Sequence, residues 1–345
     1  MKSAKPVTIV GGGLGGLTLG IGLRQHQIPT TVIEAAHYPR HRVCGEFICG
    51  LGHDVLAGFR LGDSLAGAGA KPARTAMFQF GGVASPVRPL PAKALSISRF
   101  VLDSELAEQF QRLGGELEPN CRWRESELKD GTVRATGRRV KTGEHGWRWF
   151  GLKIHARNVT LAADIEMHLS GNGYVGLCRL PEDEVNVCGL FRRRREEPAS
   201  STDPRALLFG PENSVLRRRL ADADLDEKSF CSVAGLSLEP VPARPEECCV
   251  GDALTMIPPV TGNGMSMAFE SAGLALDPLV AWSQGEASWT AVRRELAKRY
   301  REAFASRLQW ARWLHKFLFS GLFNLLGPSA LRSELLWRTL FRHTR

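Results

Sequence analysis

The chain has 345 residues, 43% of them hydrophobic and 23% charged, with a formal net charge of +9. These are the proportions of a soluble globular protein long enough for two domains, and no run reaches the roughly 18 uninterrupted apolar residues of a membrane span. The basic excess comes partly from two short runs, Arg192 to Arg195 and Arg217 to Arg219. Neither is interleaved with the aromatic platforms that single-strand binding uses, so both read as solvated faces and no nucleic-acid partner is expected.

The N-terminus carries two lysines but no secretory signal, because the apolar run that follows is rich in glycine and lacks a cleavage site. Val7-Thr8-Ile9-Val10 reads as a buried parallel strand. Gly11, Gly13 and Gly16, in G-x-G-x-x-G spacing with Gly15 between them, turn it into a helix from Leu14 to about Gln25. The glycines serve a tight turn, the close approach of a pyrophosphate to backbone N–H groups, and the packing of helix on strand. Thr31-Val32-Ile33-Glu34 is the next strand, with its carboxylate where a ribose diol would be bound, at about the expected 20 residues from the turn. Glu34 favours a free 2′-hydroxyl, which disfavours NADP in this groove; the motif alone does not separate FAD from NAD.

Arg42-Val43-Cys44-Gly45-Glu46 follows, an electropositive segment suited to phosphates or an anionic cofactor ring. If Cys44 is exposed there, its pKa should be depressed; the alternative is a surface loop with a buried cysteine. Residues 50 to 69 read as helical, and residues 76 to 95 as short strands leaving the nucleotide domain. A helix spans Phe100 to about Leu113, with Arg99 at its start placed to reach a cofactor or an acidic neighbour. Thr132 to Arg138 reads as a last nucleotide-domain strand. From Phe150 alternation takes over, with Leu152, Ile154 and Ala156, then Ile165, Met167 and Leu169, then Tyr174 to Leu180 and Val185 to Leu190: an antiparallel meander that would cover a ligand.

Cys248-Cys249-Val250 returns to a buried strand ending in Gly251-Asp252, followed by an irregular turn through Pro259, Gly262 and Gly264 and a helix from about Ser266. A strand-end aspartate beside a helix start is a second place for polyol and ring-edge hydrogen bonds. From Thr290 the chain is helical and basic, and Gly327-Pro328 is expected to break it before a last helix. The stripe of Trp310, Trp313, Leu314, Phe317 and Leu318 packs on the body or a partner subunit, or lies on a membrane surface through residues 305–345. The eight cysteines form no C-x-x-C pair and the nine histidines show no ligand spacing. Buried free thiols in a reducing, cytoplasmic setting, at the membrane surface if the tail docks there, and no metal site are expected.

Together Gly11 to Gly16 with Glu34, Arg99 to Leu106, and Gly251-Asp252 through Gly264 resemble the flavoprotein group of p-hydroxybenzoate-type aromatic hydroxylases, flavin-dependent halogenases and geranylgeranyl reductases. Arg42 to Glu46, Gly151 to His155 and Gly173 to Leu177 look most like the geranylgeranyl-reductase-like branch. The resemblance implies an α/β fold: a Rossmann-like FAD-binding domain of the GR2/p-hydroxybenzoate-hydroxylase type (1–75, 96–149 and 245–290), an antiparallel-sheet substrate domain (76–95 and 150–244) and a helical C-terminal region (291–345). It implies extended FAD on Gly11, Gly13, Gly15, Gly16, Glu34, Arg42, Cys44, Gly45, Arg99, Gly251, Asp252, Pro259, Gly262, Gly264 and Met265. Glu34 would hold the adenosine ribose, Arg99 would lie toward the pyrophosphate and Asp252 would hold the ribityl chain, with Pro259 to Gly264 along the isoalloxazine.

Two departures matter. Ala135-Thr136-Gly137 stands where the hydroxylases have an Asp-Gly motif, so direct NAD(P)H or a separate reductase stays open as electron source. The W-x-W-x-I-P motif of halogenases is absent, which disfavours halogenation. The expected protein is an FAD-dependent oxidoreductase of monooxygenase type acting on a hydrophobic or aromatic small molecule, with Cys44, His155 and Tyr174 as candidate catalytic residues. The alternatives are a flavin-dependent reductase of an isoprenoid-like double bond and a non-catalytic electron-relay flavoprotein.

Overall fold

Val7, Ile9, Val32 and Val133 are wholly buried because the strands that carry them are covered on both faces. In the computed structural model, which describes residues 4–123, 129–138, 146–196, 203–238 and 246–344, they form a five-stranded parallel sheet. Its order is Cys248–Cys249, Thr132–Arg134, Val7–Val10, Thr30–Ile33, Glu116–Glu118. The helix Leu14–Gln25 is buried from Leu14 through Leu23. A Cβ on Gly20 would lie 2.9 Å from the Phe110 ring and one on Gly22 2.3 Å from Phe59, so glycines on this helix admit aromatic rings from neighbouring helices. Phe110 belongs to the helix Arg99–Arg112, which Ser98 caps by accepting the Phe100 N–H.

The second sheet runs Asp224–Leu236, Trp147–Arg157, Val185–Arg194, Gly173–Arg179, Ile165–Ser170, Lys71–Phe80, Arg88–Ser96, Phe47–Cys49, with Val83–Ala84 paired onto Lys71–Phe80. Its pairings are antiparallel except that Ile165–Ser170 and Lys71–Phe80 run parallel. The meander is therefore joined to the earlier strands by one parallel seam. Leu152, Ile154 and Ala156 face an apolar cluster with Leu177, Val187, Leu208 and Leu216. The period of two then turns Lys153 and His155 to the opposite face. The strands Phe47–Cys49 and Lys71–Phe80 both belong to this sheet, so a border at residue 76 would cut a continuous strand. The expected border at 244/245 lies outside the described residues.

The helix Gly264–Ser283 crosses Leu14–Gln25, and three helices follow it: Trp289–Leu318, Gly321–Arg332 and Glu334–Thr344. Gly327 and Pro328 do not end a helix, contrary to the sequence expectation; both lie inside Gly321–Arg332. The breaks fall at serines. Ser320 Oγ accepts the Phe323 N–H at 3.4 Å and Ser333 Oγ the Leu336 N–H at 3.3 Å. Gly327 is small because the Phe323 ring lies 3.0 Å from where its Cβ would be.

Phe110 is wholly buried, and its ring would also be met at 2.3 Å by a Cβ on Gly115. Phe110→Ala should lower unfolding stability by about 3–5 kcal/mol in urea titrations; a loss under about 1 kcal/mol would contradict this packing.

Candidate functional site

The first strand ends where Gly11 N donates to Ile33 O and Ala135 N donates to Val10 O, both at 2.7 Å. Gly11 has φ +111°, and a Cβ there would lie 2.3 Å from Ala135 O; one on Gly16 would lie 2.0 Å from Gly11 O. These two positions require glycine. At Gly13 a Cβ would meet nothing within 4 Å, so the N-terminus of Leu14–Gln25 opens onto free space. Its first N–H groups and the positive end of its dipole face that opening.

Glu34 closes one side. Its Oε2 accepts the Gly12 N–H at 2.8 Å; its Oε1 accepts the Ala36 N–H at 2.9 Å and Arg40 Nη1 at 2.8 Å. Burial pushes its pKa up, but the Arg40 hydrogen bond and charge and the two backbone donors outweigh it and hold the carboxyl below its ordinary range. Arg40 Nε and Nη2 are buried without a hydrogen-bond partner, and the guanidinium lies over the Tyr38 ring.

The second motif meets the first directly. A Cβ on Gly15 would lie 3.3 Å from both Gly251 N and Ala268 O. Gly251 takes φ +62° and donates its N–H to Ser271 Oγ at 2.8 Å. A narrow crevice is lined by Gly251, Asp252, Gly264, Met267, Ala268 and Ser271. Burial pushes the Asp252 carboxyl up, against the charges of Arg99, Arg138 and Arg42. Met265, next to Gly264 in the helix, is buried.

Arg99 reaches an acidic neighbour. Its Nε and Nη2 bond Asp103 at 2.7 and 2.8 Å, and Arg42 Nε lies 3.4 Å from the same carboxylate. Cys44 is half-buried, and burial raises its thiol pKa despite the Arg99 charge and hydrogen bond. Depression was expected only for an exposed thiol; the buried alternative holds, and desolvation of the thiolate outweighs the arginines' attraction.

Past Gly45, the loop turns through Glu46 at φ +59°, which is wholly buried. Its Oε1 accepts the Arg99 N–H at 2.9 Å and lies 3.6 Å from Lys153 Nζ, while its Oε2 is 2.7 Å from His155 Nε2. His155 Nδ1 lies 3.0 Å from Glu184 Oε2. Each imidazole nitrogen thus faces a carboxylate oxygen, an arrangement that favours the protonated ring. Burial alone would lower the His155 pKa, but the Glu184 and Glu46 hydrogen bonds raise it overall. Lys153 Nζ is 3.0 Å from His41 Nδ1, and burial with the Lys153 charge lowers the His41 pKa, leaving a neutral imidazole that accepts.

Next to Glu46, the Phe47 ring lies 2.2 Å from where a Cβ on Gly262 would be, and Gly262 itself is left-handed at φ +63°. Phe47 walls an apolar pocket with Met77, Phe78, Met167, Val260 and Phe341. Pro259 opens the short 3-10 turn that carries Val260 and Thr261 into it. Tyr174 is buried in an apolar cluster with Trp149, Leu190, Val260 and Leu314, and burial pushes its phenol pKa up. Of the three catalytic candidates, only Cys44 and His155 sit among ionisable groups.

No protein-family model matches the chain, and a search of curated proteins finds no relative. Solved structures do match. The flavin-dependent brominase Bmp2 superposes with a TM-score of 0.76 at 14% identity, over 99% of this chain and 93% of that one. The p-nitrophenol 4-monooxygenase PnpA from Pseudomonas putida gives 0.76 at 14% over 99% and 97%. The myxobacterial chondrochloren halogenase CndH gives 0.72 at 19% over 90% and 82%. The chain has the fold of these flavoenzymes. It is a mixed α/β architecture with a Rossmann-like sheet and a helical C-terminal region.

The residues at the cleft suit FAD. Gly13 leaves a cradle a Cβ would partly fill, and Arg40 offers buried, unsatisfied donors beside it for an anionic group. Sequence reasoning passed over Arg40, Asp103, Lys153 and Glu184 as site residues; the four-residue spacing of Arg99 and Asp103 on one helix was a readable signal. Trp147 and Trp149 do share W-x-W spacing, but Phe-Gly-Leu follows them. Trp147 lies beneath the guanidiniums of Arg192 and Arg194, and Trp149 packs on His315 and Phe319.

The His155 pKa is raised from its ordinary 6.5 and that of Glu184 is lowered from 4.5, the latter chiefly by its hydrogen bond to His155. The raised histidine contributes stability that is full below its unfolded pKa and lost as pH rises through the folded one. The depressed glutamate contributes above its unfolded pKa and loses that contribution as pH falls through its folded one. The stability gap between wild type and His155→Gln should therefore be widest between pH 4.5 and 6.5 and narrow at higher pH. Urea unfolding across pH checks this; a gap independent of pH would contradict it.

Proposed function

We propose that the protein binds FAD in extended form and is an FAD-dependent oxidoreductase of the monooxygenase (hydroxylase) type, acting on an apolar or aromatic small molecule. The observation that carries this reading is the direct contact of Gly15 with Gly251, which sets the open helix end at Gly13 beside the turn that carries Asp252. The first N–H groups of Leu14–Gln25 take the pyrophosphate, with Arg40 and Arg42 as neighbouring cations. Glu34 takes the adenosine ribose, and its Oε2 keeps a lone pair beyond the Gly12 bond for that purpose. Asp252 takes the ribityl chain, and Pro259, Gly262, Gly264 and Met265 line the ring. The five-stranded sheet with the helices Leu14–Gln25 and Gly264–Ser283 is the FAD-binding unit in this reading, and the large sheet, which takes in Phe47–Cys49 and Lys71–Phe80, the substrate unit.

Bound FAD supplies the two-electron chemistry and, when reduced, the activation of dioxygen. The residues of the chain bind, orient and exclude water. Phe47, Met77, Phe78 and Met167 give the substrate pocket walls suited to a flat apolar molecule. His155, whose two ring nitrogens face Glu46 and Glu184, is the candidate proton donor beside the loop from Arg42 to Phe47. Cys44, near the Arg99 charge, and Tyr174, beside Val260 in the apolar cluster, are the other candidates for contact with substrate. The fold shared with p-nitrophenol 4-monooxygenase supports oxygen insertion.

Reduction of an isoprenoid-like double bond is the second reading. The resemblance of Arg42 to Glu46 to the reductase-like branch favours it.

The deciding experiment is to reduce the bound flavin anaerobically, supply phenolic or isoprenoid candidates, and then admit oxygen. NADH, NADPH and a separate reductase are compared as electron source. Oxygenated product only after oxygen is admitted is the expected result. Product formed without oxygen selects the reductase, and electron transfer without any product selects the relay. Protein that neither carries nor takes up flavin contradicts the proposal.

Gly13 has φ −84° and a clear Cβ direction, so Gly13→Val should fold as well as wild type. It should nevertheless bind FAD at least about tenfold more weakly, a cost of about 1.4 kcal/mol, because the valine fills the pyrophosphate cradle. Equal FAD affinity in a fluorescence titration would remove Gly13 from the site.

A further inference from the structure

Six of the eleven large apolar side chains exposed among the described residues lie on the last three helices: Trp313, Leu322, Leu325, Leu326, Leu335 and Leu336. Such clustering differs from the scattered exposed hydrophobics normal to a protein surface. Leu322, Leu325 and Leu326 share one face of Gly321–Arg332, while Phe323 and Gly327 turn to the core. That helix is thus apolar on its solvent side as well as its packed side. Leu335 and Leu336 begin the next helix directly after Ser333. Trp313 stacks on Phe317 at 5.5 Å, and Phe317 meets Phe323 at 5.5 Å, so an aromatic ladder ties the tryptophan to the leucine-bearing helix.

The charge on this surface has one sign. Between residues 308 and 343 stand five bases, Arg312, Lys316, Arg332, Arg338 and Arg342, against one acid, Glu334. Glu334 is already bound at 3.0 Å by Arg88 and at 3.0 Å by Arg338. Buried Arg88 also donates to Leu331 O at 3.0 Å and Arg332 O at 2.7 Å, which fixes the angle at which the two helices present their leucines. A symmetric contact with a second copy would set this cationic rim against itself. A bilayer carrying anionic lipid matches both parts, with leucines at the acyl boundary and arginines over phosphates.

We propose that the two C-terminal helices, Gly321–Arg332 and Glu334–Thr344, dock the protein on an anionic membrane surface. The contact is interfacial, since no helix of the described residues is long and apolar enough to cross a membrane. It stands independently of the flavin. The same last helix walls the apolar pocket through Leu340 and Phe341, so the docked face adjoins the pocket.

The test is co-sedimentation of the full chain with vesicles of phosphatidylcholine alone and of phosphatidylcholine with phosphatidylglycerol. Pelleting with the anionic vesicles only, weakening with salt, is expected. The double variant Leu325→Ser, Leu335→Ser should lower the partition coefficient about tenfold, and Arg332→Gln with Arg342→Gln should flatten the salt dependence. These side chains are exposed, so thermal unfolding should be unchanged, and it is measured alongside. No pelleting with anionic vesicles, or equal pelleting with both compositions, overturns the proposal. So does a solution dimer that the leucine variant returns to monomer, because the face would then belong to a second copy.

Discussion

Three stretches of backbone touch at the glycine-rich turn, and the molecule is arranged around that contact. Gly11 lies against Ala135, Gly16 against Gly11, and Gly15 against Gly251 and Ala268. Any side chain at Gly11 or Gly16 would force apart the first strand, the strand at Thr132–Arg134 and the first helix. The contact at Gly15 also sets the crossing of Leu14–Gln25 with Gly264–Ser283, and with it the distance between the open helix end and Asp252. Backbone packing of this kind leaves no freedom to shift one half of the cleft without the other.

A second constraint joins the two sheets. Glu46 comes from the loop after the second parallel strand, Lys153 and His155 from the large sheet, and Arg99 from the helix between them. A wholly buried carboxylate is costly unless its bonds are met, and these partners meet them. Removing one partner would leave the others buried and uncompensated. The network therefore holds the Arg42 to Phe47 loop between the glycine-rich turn and the apolar pocket.

Local backbone chemistry was readable in the sequence. Strand, glycine spacing, helix and Glu34 follow each other within thirty-odd residues, and Gly251-Asp252 before a small-residue helix repeats the same logic. The alternation at Leu152, Ile154 and Ala156 showed a sheet strand and, by its period, which residues share a face. What Lys153 and His155 meet on the other face depends on register with Val185–Arg194 and on the path of a distant loop. Glu46 was visible only as a carboxylate beside a glycine. Two readings of Cys44 stayed open because neighbouring charges are written in the sequence and burial is not; its burial decides for the raised thiol. Gly327-Pro328 looked like a stop, but serine caps on either side set the helix ends.

The central claim is that the open helix end at Gly13, Glu34 and the Gly251-Asp252 turn together hold an extended dinucleotide, with the adenosine end at Glu34 and the polyol at Asp252. Calorimetric titration of the flavin-free protein with FAD and with FMN tests it most directly. FAD should saturate a single site per chain, and FMN, which lacks the adenosine half, should bind at least about a hundredfold more weakly. Equal affinity for the two, or no heat with FAD, would contradict the account.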